Sequence, residues 1–401
     1  APYAVSWNTA TALNGLHTLL AVARDIANNR ATSTPVAVTV SNVNPNDPAV
    51  IGQWSAVAIW PIVAIHTTLL PTGKVLAWDD HTDGVPAGAQ VWDPATNTFT
   101  AVPYTGENLF CTGITALADG RVAIVGGHLG GDFGTAALSA FDPVNQTWAS
   151  LAPMSTPRWY GGATALADGR ILAQLGTTNC KTCIADIPEV YDPATNTWTA
   201  LTNARSAYAP YYPHAFPLPN GKVFVAGTSE YPIQSRTLDV NTQTWQIVDP
   251  AVQAGGLSAM YLPGKVLRAG GSWDDGIGTP TAGTAVIDMT QPTPAWRTSA
   301  SMAFARVTHN LTILPDGSVL VTGGASDPSI SPPAGSIVYA AEMWSPATET
   351  WTTMAQMQTP RLYHSTGLLL PDGRVLAAGG GRGFTTNQFN AEIYSPPYLF
   401  K

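Results

Sequence analysis

The sequence predicts an all-β protein: a seven-bladed β-propeller preceded by a fragment of another β module. Two observations support this fold class. A glycine-containing hairpin recurs seven times, and a tryptophan-containing strand follows most of the hairpins. The composition agrees, because only 11% of the 401 residues are charged while glycine (37) and proline (33) are abundant. Average domains contain about a quarter charged residues, so this balance is typical of a turn-rich β protein.

Residues 1–43 differ from the rest of the chain and are predicted to be the C-terminal part of an immunoglobulin-like β-sandwich. They end in the alternating string TPVAVTVSN, which favours a strand, while HTLLAVARD fits either a strand or a short amphipathic helix. The segment resembles the last strands of the immunoglobulin-like modules of secreted bacterial proteins. Such modules have about 100 residues, so we expect the chain to be an excerpt of a longer protein, with residues 44–53 as linker.

The propeller prediction covers residues 54–401 and begins with the repeated hairpin, as in ALADGRVAIVGG and LLPDGRVLAAGG. The spacing between successive turn glycines is 43 to 56 residues, close to the about 50 residues of a kelch blade. An Asp-Gly or Asn-Gly turn supplies the positive φ that a tight β-hairpin needs. The seven turn glycines are Gly73, Gly120, Gly169, Gly221, Gly264, Gly317 and Gly373.

Third and fourth strands follow six of the hairpins, as in VYDPATNTWTA, but the seventh hairpin is followed by only one more strand. The string GQWSAVAI around Trp54 has a similar tryptophan and precedes the first hairpin, so we expect it to complete the last blade and close the ring. The recurring blade tryptophans are assigned to packing between blades. They are Trp148, Trp198, Trp245, Trp296 and Trp351.

Charge and hydropathy exclude several classes of partner. The net charge is −8 and no cluster of Lys and Arg appears, which argues against nucleic acid and anionic membrane surfaces. No apolar run is long enough to span a bilayer. The chain starts at Ala1 without a methionine or a charged leader, so we interpret it as a mature or excised form of a secreted, extracellular protein. Small, neutral ligands fit this balance better.

Three cysteines are too few for a disulfide scaffold. In the string NCKTC, Cys180 and Cys183 are predicted to close a small disulfide loop, which leaves Cys111 over. A redox pair or half of a zinc site are the alternatives for the CxxC, but neither a helix start nor a second CxxC follows.

Polar residues recur at one level of the predicted channel. In a propeller, the innermost strand of each blade leads into the hairpin turn and lines the central channel. Cys111, Tyr160 and His364 each lie eight residues before the aspartate of their turn, so they share one level and one strand face. Tyr363 is one residue off this register and can face the same point only where the strand begins and the backbone still curves.

A thiol, two phenols and an imidazole around one axis form a donor set that suits a metal. Metals stabilise phenolate and thiolate, imidazole binds copper, iron or zinc, and two phenols favour an oxidising metal such as copper(II). On spacing alone the alternative stays open. In that alternative Cys111 is a small buried hydrophobic residue, Tyr160 and Tyr363 line the channel, and His364 is a satisfied polar group.

The strings ENLFCTG, PRWYGGATALADGR and RLYHSTGLLLPDGRV, in this order on a kelch-type propeller, resemble the copper radical oxidases, the galactose oxidase and glyoxal oxidase family. The resemblance runs over about residues 54–401. It implies that Cys111 is joined to Tyr160 by a thioether, and that Tyr160 binds copper and holds a radical. It further implies that Tyr363 is the axial tyrosinate and proton acceptor, and that His364 is an equatorial ligand.

The resemblance also directs attention to shielding and substrate residues. Galactose oxidase stacks a tryptophan on its cross-linked tyrosine from the blade end where this chain has Gly176 and two threonines, so Trp159 or Trp273 is expected to replace it. Arg158 and Arg361 are candidates for orienting substrate, as is Arg306, and the alternative is pairing with loop carboxylates. Loop residues around these tryptophans and at 385–390 are expected to select the substrate.

In that family a second histidine ligand comes from a β-sandwich domain after the propeller, which we expect to be missing from this sequence. Substitutes within the chain are His309, one step out of register, and His66 and His214, which lie about 7 Å deeper at about 3.3 Å per residue. Ordinary channel lining is the alternative for each. The loop at residues 79–84, DDHTDG, lacks the closing glutamate of an EF-hand and is interpreted as a polar blade connection.

The sequence thus predicts a secreted copper radical oxidase that oxidises aldehydes or primary alcohols with O2 and releases H2O2. The alternative is a catalytically silent propeller that serves as a carbohydrate-binding or adhesion module of a larger secreted protein. The chemical state of Cys111 separates the two hypotheses, since a thioether would exclude the second.

Overall fold

The computed structural model describes residues 4–42, 44, 46–80, 88–131, 133–209, 211–229, 231–273, 278–382 and 386–401. The part of the 79–84 loop from residue 81 onward lies outside the described residues. So do residues 274–277 and residue 385, which belong to two of the predicted substrate loops. Within the described ranges, no helix has the length and apolar character needed to cross a bilayer.

Two short antiparallel strand pairs form the N-terminal segment, in which β1 pairs with β4 and β2 with β3. The string HTLLAVARD is therefore extended rather than helical. Its immunoglobulin-like origin stays a prediction. The strands are β1 (Gly15–Leu19), β2 (Val22–Arg24), β3 (Arg30–Thr32) and β4 (Val36–Val40), and a 3₁₀ turn at Thr9–Thr11 precedes them.

Within the predicted linker, Asp47 caps the short helix α1 (Pro48–Ile51) by accepting from the N–H of Ala49. Two short strands follow, β5 (Gln53–Trp54) and β6 (Ala58–Ile59).

The predicted seven-bladed propeller is confirmed. Blades 1 to 6 are four-stranded antiparallel sheets, and blade 7 is an antiparallel sheet of five strands. Blade 1 contains β7 (His66–Leu69), β8 (Val75–Trp78), β9 (Gln90–Asp93) and β10 (Thr98–Ala101). Blade 2 contains β11 (Gly113–Ala116), β12 (Val122–Val125), β15 (Leu138–Asp142) and β16 (Thr147–Ser150). Between β12 and β15 of blade 2, β13 (His128–Gly130) pairs with β14 (Phe133–Gly134). Blade 3 contains β17 (Gly162–Ala165), β18 (Ile171–Gln174), β19 (Glu189–Asp192) and β20 (Thr197–Ala200). Blade 4 contains β21 (Pro213–Pro217), β22 (Val223–Thr228), β23 (Ile233–Asp239) and β24 (Thr244–Gln253).

Blades 5 to 7 complete the ring. Blade 5 contains β25 (Gly255–Leu262), β26 (Lys265–Ser272), β27 (Thr284–Asp288) and β28 (Arg297–Ser299). Blade 6 contains β29 (Val307–Ile313), β30 (Val319–Ala325), β31 (Ala340–Ser345) and β32 (Thr350–Gln356). Blade 7 is β33 (Ser365–Leu369), β34 (Val375–Gly379) and β35 (Asn390–Ser395), and both β5 and β6 pair with β35 along its outer edge. Further 3₁₀ turns are Thr202–Ala204, Ala334–Ser336 and Pro397–Phe400.

The ring closes as the sequence predicts, because β5 pairs with β35 through Trp54 and Tyr394. Trp54 also donates its indole N–H to the carbonyl of Ala355 in blade 6 at 2.8 Å. The other blade tryptophans likewise donate to the preceding blade, as Trp148 does to Val102 and Trp198 to Ala152. Their assignment to packing between blades is confirmed.

Apolar side chains fill the space between the faces of neighbouring blades. One cluster joins Leu76 and Trp78 of blade 1 to Ile124 and Phe141 of blade 2, and similar clusters recur around the ring. The first strands of most neighbouring blades contact one another beside the axis. Residues that enter these strands at equal register therefore meet at one end of the channel.

Three buried arginines each pair with a buried glutamate on the third strand of their own blade. Each guanidinium also donates to backbone carbonyls, and each carboxylate accepts backbone N–H groups of the segment that enters the blade. The N···O separations are 3.1 Å for Arg158 and Glu189, 2.5 Å for Arg306 and Glu342, and 3.8 Å for Arg361 and Glu392. These pairs fix the entry segments of blades 3, 6 and 7.

We expect Glu342→Gln to lower the free energy of unfolding by about 3 kcal/mol, because it leaves the buried Arg306 guanidinium without a counter-charge. Urea unfolding checks this. The control Asp372→Asn removes the carboxylate of a half-exposed turn pair with Arg374 and should change stability by less than about 1 kcal/mol. Equal losses in the two variants would contradict the role assigned to the buried pair.

Candidate active site

The mouth of the channel is built from residues that enter the innermost strands with an unusual backbone. Cys111, Tyr160 and His364 have φ of 55°, 60° and 65°, the left-handed region that non-glycine residues seldom adopt. Their strands begin one or two residues later. The equal-register prediction thus corresponds to one repeated backbone conformation, which also occurs at Tyr212 and Thr308 in blades 4 and 6. The bend turns these side chains toward the axis.

Four side chains of the predicted site come together here. The hydroxyl groups of Tyr160 and Tyr363 are hydrogen-bonded to each other, and Cys111 Sγ lies 3.9 Å from His364 Nε2. The rings of Tyr363 and His364 lie 3.9 Å apart between centroids, so both neighbours face the same point. This agrees with the expectation that the backbone still curves at Tyr363, because β33 begins only at Ser365.

A backbone carbonyl fixes the tautomer of His364. Its Nδ1 lies 2.7 Å from the carbonyl oxygen of Gly381, so Nδ1 carries the proton and donates it. Nε2, on the side of Cys111, then keeps its lone pair. Histidine ligands of metals are commonly oriented in this way by a carbonyl behind the ring.

Cys111 and Tyr160 are adjacent and buried, with 1% and 7% of their surfaces exposed. They belong to one cluster with Trp159 and Tyr211. The N–H of Tyr160 donates to the carbonyl of Cys111 at 3.0 Å, which ties the two entry segments together. Cys111 takes no part in a disulfide, whereas Cys180 and Cys183 are bonded to each other as predicted.

Trp159 covers the ring of Tyr160. The two rings stack with centroids 4.2 Å apart and planes at 21°, and His128 stacks on Trp159 at 4.7 Å. Trp273 is 60% exposed. Of the two tryptophans considered for shielding Tyr160, Trp159 occupies that place in the structure.

Burial and the neighbouring thiol and phenol groups keep the site uncharged in the absence of a cation. Burial raises the pKa of Tyr160 well above its usual value of 10.0, and the proximity of Cys111, Tyr363 and Tyr212 raises it further. Burial lowers the pKa of His364. A metal ion would reverse this preference at Tyr160, since a nearby dication favours phenolate. Among the described residues, no group of three or more His, Cys, Asp or Glu side chains is placed to hold a metal, and the donors here are mainly phenols.

A cavity of about 280 Å³ opens at this mouth. It is lined by Cys111, Tyr160, Tyr363 and His364 on one side and by Gly256, Leu257 and His309 on the other. Arg158 and Arg361 lie outside this lining because both are buried in their glutamate pairs. Their partners are strand carboxylates rather than loop carboxylates, and neither guanidinium is placed to orient a small substrate. Arg306 is buried in the same way.

The three deeper histidines have separate surroundings. His66 stacks on Trp78 and its Nε2 accepts the N–H of Cys111 at 3.0 Å. His309 Nε2 lies 3.2 Å from the carbonyl oxygen of Ala269, whereas His214 Nδ1 has no hydrogen-bond partner among the described residues. Burial lowers the pKa of each of the three to about 3.

Sequence reasoning missed Tyr212. Its ring centroid lies 4.9 Å from that of Tyr160, and its side chain lines the cavity. The signal was present, because Tyr212 lies eight residues before Asn220 of its turn, the same offset as Cys111, Tyr160 and His364. Tyr211, whose ring also contacts Tyr160, has no such signal, since its position depends on how the backbone bends at the strand entry.

We expect the buried His309 to make stability fall with acidification. Burial and the Arg306 charge lower its pKa in the folded state to about 3 from a usual 6.5, so between these pH values only the unfolded chain takes up the proton. The free energy of unfolding should therefore decrease as the pH falls from about 6.5 toward about 3. In the His309→Gln variant, the free energy of unfolding should change less steeply with pH near pH 5, by about 1.4 kcal/mol per pH unit. Urea unfolding at pH 7, 6, 5 and 4 measures it, and an unchanged slope would contradict the assignment.

Comparison with known proteins reveals related sequences. Residues 275–398 match the model of the family described as glyoxal oxidase N-terminus. The chain is 30% identical to galactose oxidase of Gibberella zeae over 385 residues, which cover 87% of this chain and 55% of that protein. It is 28% identical to the aldehyde oxidase GLOX of Vitis pseudoreticulata over 218 residues, 47% of this chain and 41% of that protein. The chain thus spans about half the length of the curated relatives it matches.

The fold of this chain is also similar to that of a solved oxidase structure. A novel fungal alcohol oxidase of the AA5 family, determined in complex with copper, superposes with a TM-score of 0.76 and 25% identity. The superposition covers 88% of this chain and 78% of the other. The sequence and structural similarities together confirm the resemblance to the galactose oxidase and glyoxal oxidase family predicted from the three motifs.

Proposed function

From this kinship with the galactose oxidase and glyoxal oxidase family, we propose that the chain is the propeller of a copper radical oxidase that oxidises aldehydes or primary alcohols with O2 and produces H2O2. One observation carries the proposal. Two hydrogen-bonded phenols, an oriented imidazole and a buried thiol beside a shielded tyrosine meet at the mouth of a cavity.

Tyr160, Tyr363 and His364 would hold the copper ion. The phenol oxygens are already in contact, and Nε2 of His364 keeps a lone pair because Nδ1 donates to Gly381. Phenolate and imidazole are donors that suit copper(II). Bound copper would supply a one-electron redox couple.

A second one-electron centre is needed, because oxidation of an alcohol or an aldehyde hydrate removes two electrons. We place this centre on Tyr160, cross-linked to Cys111. Cross-linking breaks the S–H bond of Cys111 and one ring C–H bond of Tyr160 and forms a C–S bond. The two electrons and two protons pass to O2 and yield H2O2. A sulfur substituent makes the tyrosyl radical easier to reach, and Trp159 keeps water from it.

Tyr363 and Tyr160 have different roles in the oxidation of the substrate. The substrate hydroxyl enters the cavity and gives its proton to the Tyr363 oxygen, and the carbon-bound hydrogen atom passes to the Tyr160 radical. The one electron that remains would reduce bound copper(II) to copper(I). Proton acceptor and hydrogen acceptor must lie close together, and the contact between the two hydroxyl groups meets this requirement. An alcohol then leaves as an aldehyde, an aldehyde hydrate leaves as an acid, and O2 takes up the two electrons and two protons as H2O2.

We further propose that a second histidine imidazole would bind the copper ion. We place it on a β-sandwich domain that follows the propeller in the whole protein, as the family resemblance implies. The partial coverage of the relatives is compatible with such a domain. We further propose that the protein acts outside the cell, where a disulfide such as Cys180–Cys183 persists.

The decisive measurement is peptide mass spectrometry after incubation with copper(II) and O2. It is made on the chain alone and on the chain joined to a C-terminal β-sandwich domain. We expect a peptide pair spanning Cys111 and Tyr160 that is two hydrogens lighter and resists reduction, with peroxide release from aldehydes or primary alcohols in the joined form. Cys111→Ser should abolish the pair and lower peroxide release by about 100-fold or more, since an activating group of the reaction is lost.

The competing hypothesis, a catalytically silent binding propeller, predicts a different result. Cys111 would then stay open to alkylation in folded protein of both forms, and no peroxide would appear with any aldehyde or alcohol. That result would refute the oxidase.

Trp159 offers an independent test. We expect Trp159→Leu to shorten the lifetime of the Tyr160 radical by about tenfold, because stacking worth up to about 1.5 kcal/mol is lost and water reaches the ring. Electron paramagnetic resonance after one-electron oxidation measures the decay. Trp273→Leu, which removes an exposed indole, is the matched control, and equal decay in both variants would contradict the shielding role.

A further inference from the structure

A chain of hydrogen bonds runs around the channel mouth from blade 1 to blade 4. Cys111 donates its N–H to His66 Nε2 at 3.0 Å, and the carbonyl of Cys111 accepts from the N–H of Tyr160 at 3.0 Å. The carbonyl of Tyr160 in turn accepts from the N–H of Tyr212 at 2.9 Å. Two of these three links join backbone to backbone. The first link depends on a side chain, that of His66.

The N–H of Cys111 needs such an acceptor. Strand β11 begins two residues later, at Gly113, and the left-handed backbone at Cys111 turns its N–H away from the ladder. Leaving a buried N–H without an acceptor costs about 1–3 kcal/mol, and a strained backbone persists only where its surroundings fix it. His66 therefore helps hold the Cys111 backbone in its unusual conformation.

His66 itself is rigidly placed by Trp78. Its ring stacks on the indole with centroids 5.0 Å apart and planes at 27°, and the two residues are paired across β7 and β8. The same indole donates its N–H to the carbonyl of Leu109 at 3.1 Å, two residues before Cys111. One buried tryptophan thus fixes both the imidazole acceptor and the segment that carries the thiol.

We propose that His66 is a positioning residue that sets the Cys111 backbone and so aims the thiol at the ring of Tyr160 for thioether formation. This inference rests on the proposed function. An imidazole that accepts through Nε2 is neutral, with its proton on Nδ1, so the role needs only a hydrogen-bond acceptor of the right reach. His66 takes no part in the electron or proton transfers of cross-linking and acts through Cys111.

Blade 4 provides a matched control. His214 lies six residues before Asn220 of its turn, as His66 lies six residues before Thr72. It is also a deep histidine, but its Nδ1 has no hydrogen-bond partner among the described residues, and the chain of bonds described above does not include it. His214→Ala therefore removes an imidazole of equal depth without removing the acceptor of Cys111.

The experiment follows cross-link formation with time in copper(II) and O2 by mass spectrometry of the Cys111 and Tyr160 peptides. We expect His66→Ala to slow it by about tenfold or more, since small misplacements of reacting groups are costly. His66→Gln places an amide oxygen near the position of Nε2 and should recover most of the wild-type rate. His214→Ala should cross-link as the wild type does. Equal rates in the two alanine variants, or a glutamine variant as slow as His66→Ala, would overturn the inference.

A second measurement needs no variant. Amide hydrogen exchange at Cys111 in the wild-type chain should be slowed to the level of the β11 strand amides, because its N–H is bonded to His66. Exchange as fast as in an exposed loop would overturn the proposed hold on Cys111, even if His66→Ala does not fold. If the wild type forms no cross-link while Cys111 is protected, the oxidase proposal fails, and with it the cross-linking role of His66, although the hydrogen bond itself stands.

Discussion

The pairing of β5 with β35 is the constraint on which the rest of the structure depends. It joins Trp54 to Tyr394 and supplies the fourth strand that blade 7 would otherwise lack. An unpaired strand edge would remain exposed, and the first and last blades would be free to separate. With the ring closed, the innermost strand of blade 7 contacts that of blade 1. Residues as far apart in sequence as Cys111 and His364 then come within 3.9 Å.

The site uses a backbone feature that the repeat supplies in several blades. The left-handed entry residue occurs at Cys111, Tyr160 and His364, but also at Tyr212 and Thr308. The conformation is therefore part of the blade, and chemical function comes from the side chains placed on it. A propeller of this kind can remain a scaffold or become a catalyst by changes at one level of the channel, which is why fold alone does not assign an activity.

Three arginines close to the mouth are paired internally and do not face the cavity. Arg158, Arg306 and Arg361 enter the blades just before the mouth, yet each is neutralised by a buried glutamate and serves as an internal brace. The histidines that line the deeper channel stay neutral because burial lowers their pKa values. The mouth is thus an apolar, aromatic environment of low charge. A metal ion held there would be the dominant local charge and would decide the ionisation of Tyr160.

The sequence by itself determined the repeat, the hairpin turns, the closing strand and the level shared by Cys111, Tyr160 and His364. These are local or periodic features, since turn chemistry depends on adjacent residues and equal offsets in a repeat give equal positions. Only the tertiary structure decided that Trp159 rather than Trp273 covers Tyr160, that the arginines are braces, and that His66 holds Cys111. Those outcomes depend on how each entry segment bends and on contacts between residues far apart in sequence. The arginine pairs form within a blade, whereas the 3.0 Å bond from Cys111 to His66 spans 45 residues and joins two blades, and no periodic pattern encodes which side chain will be within reach.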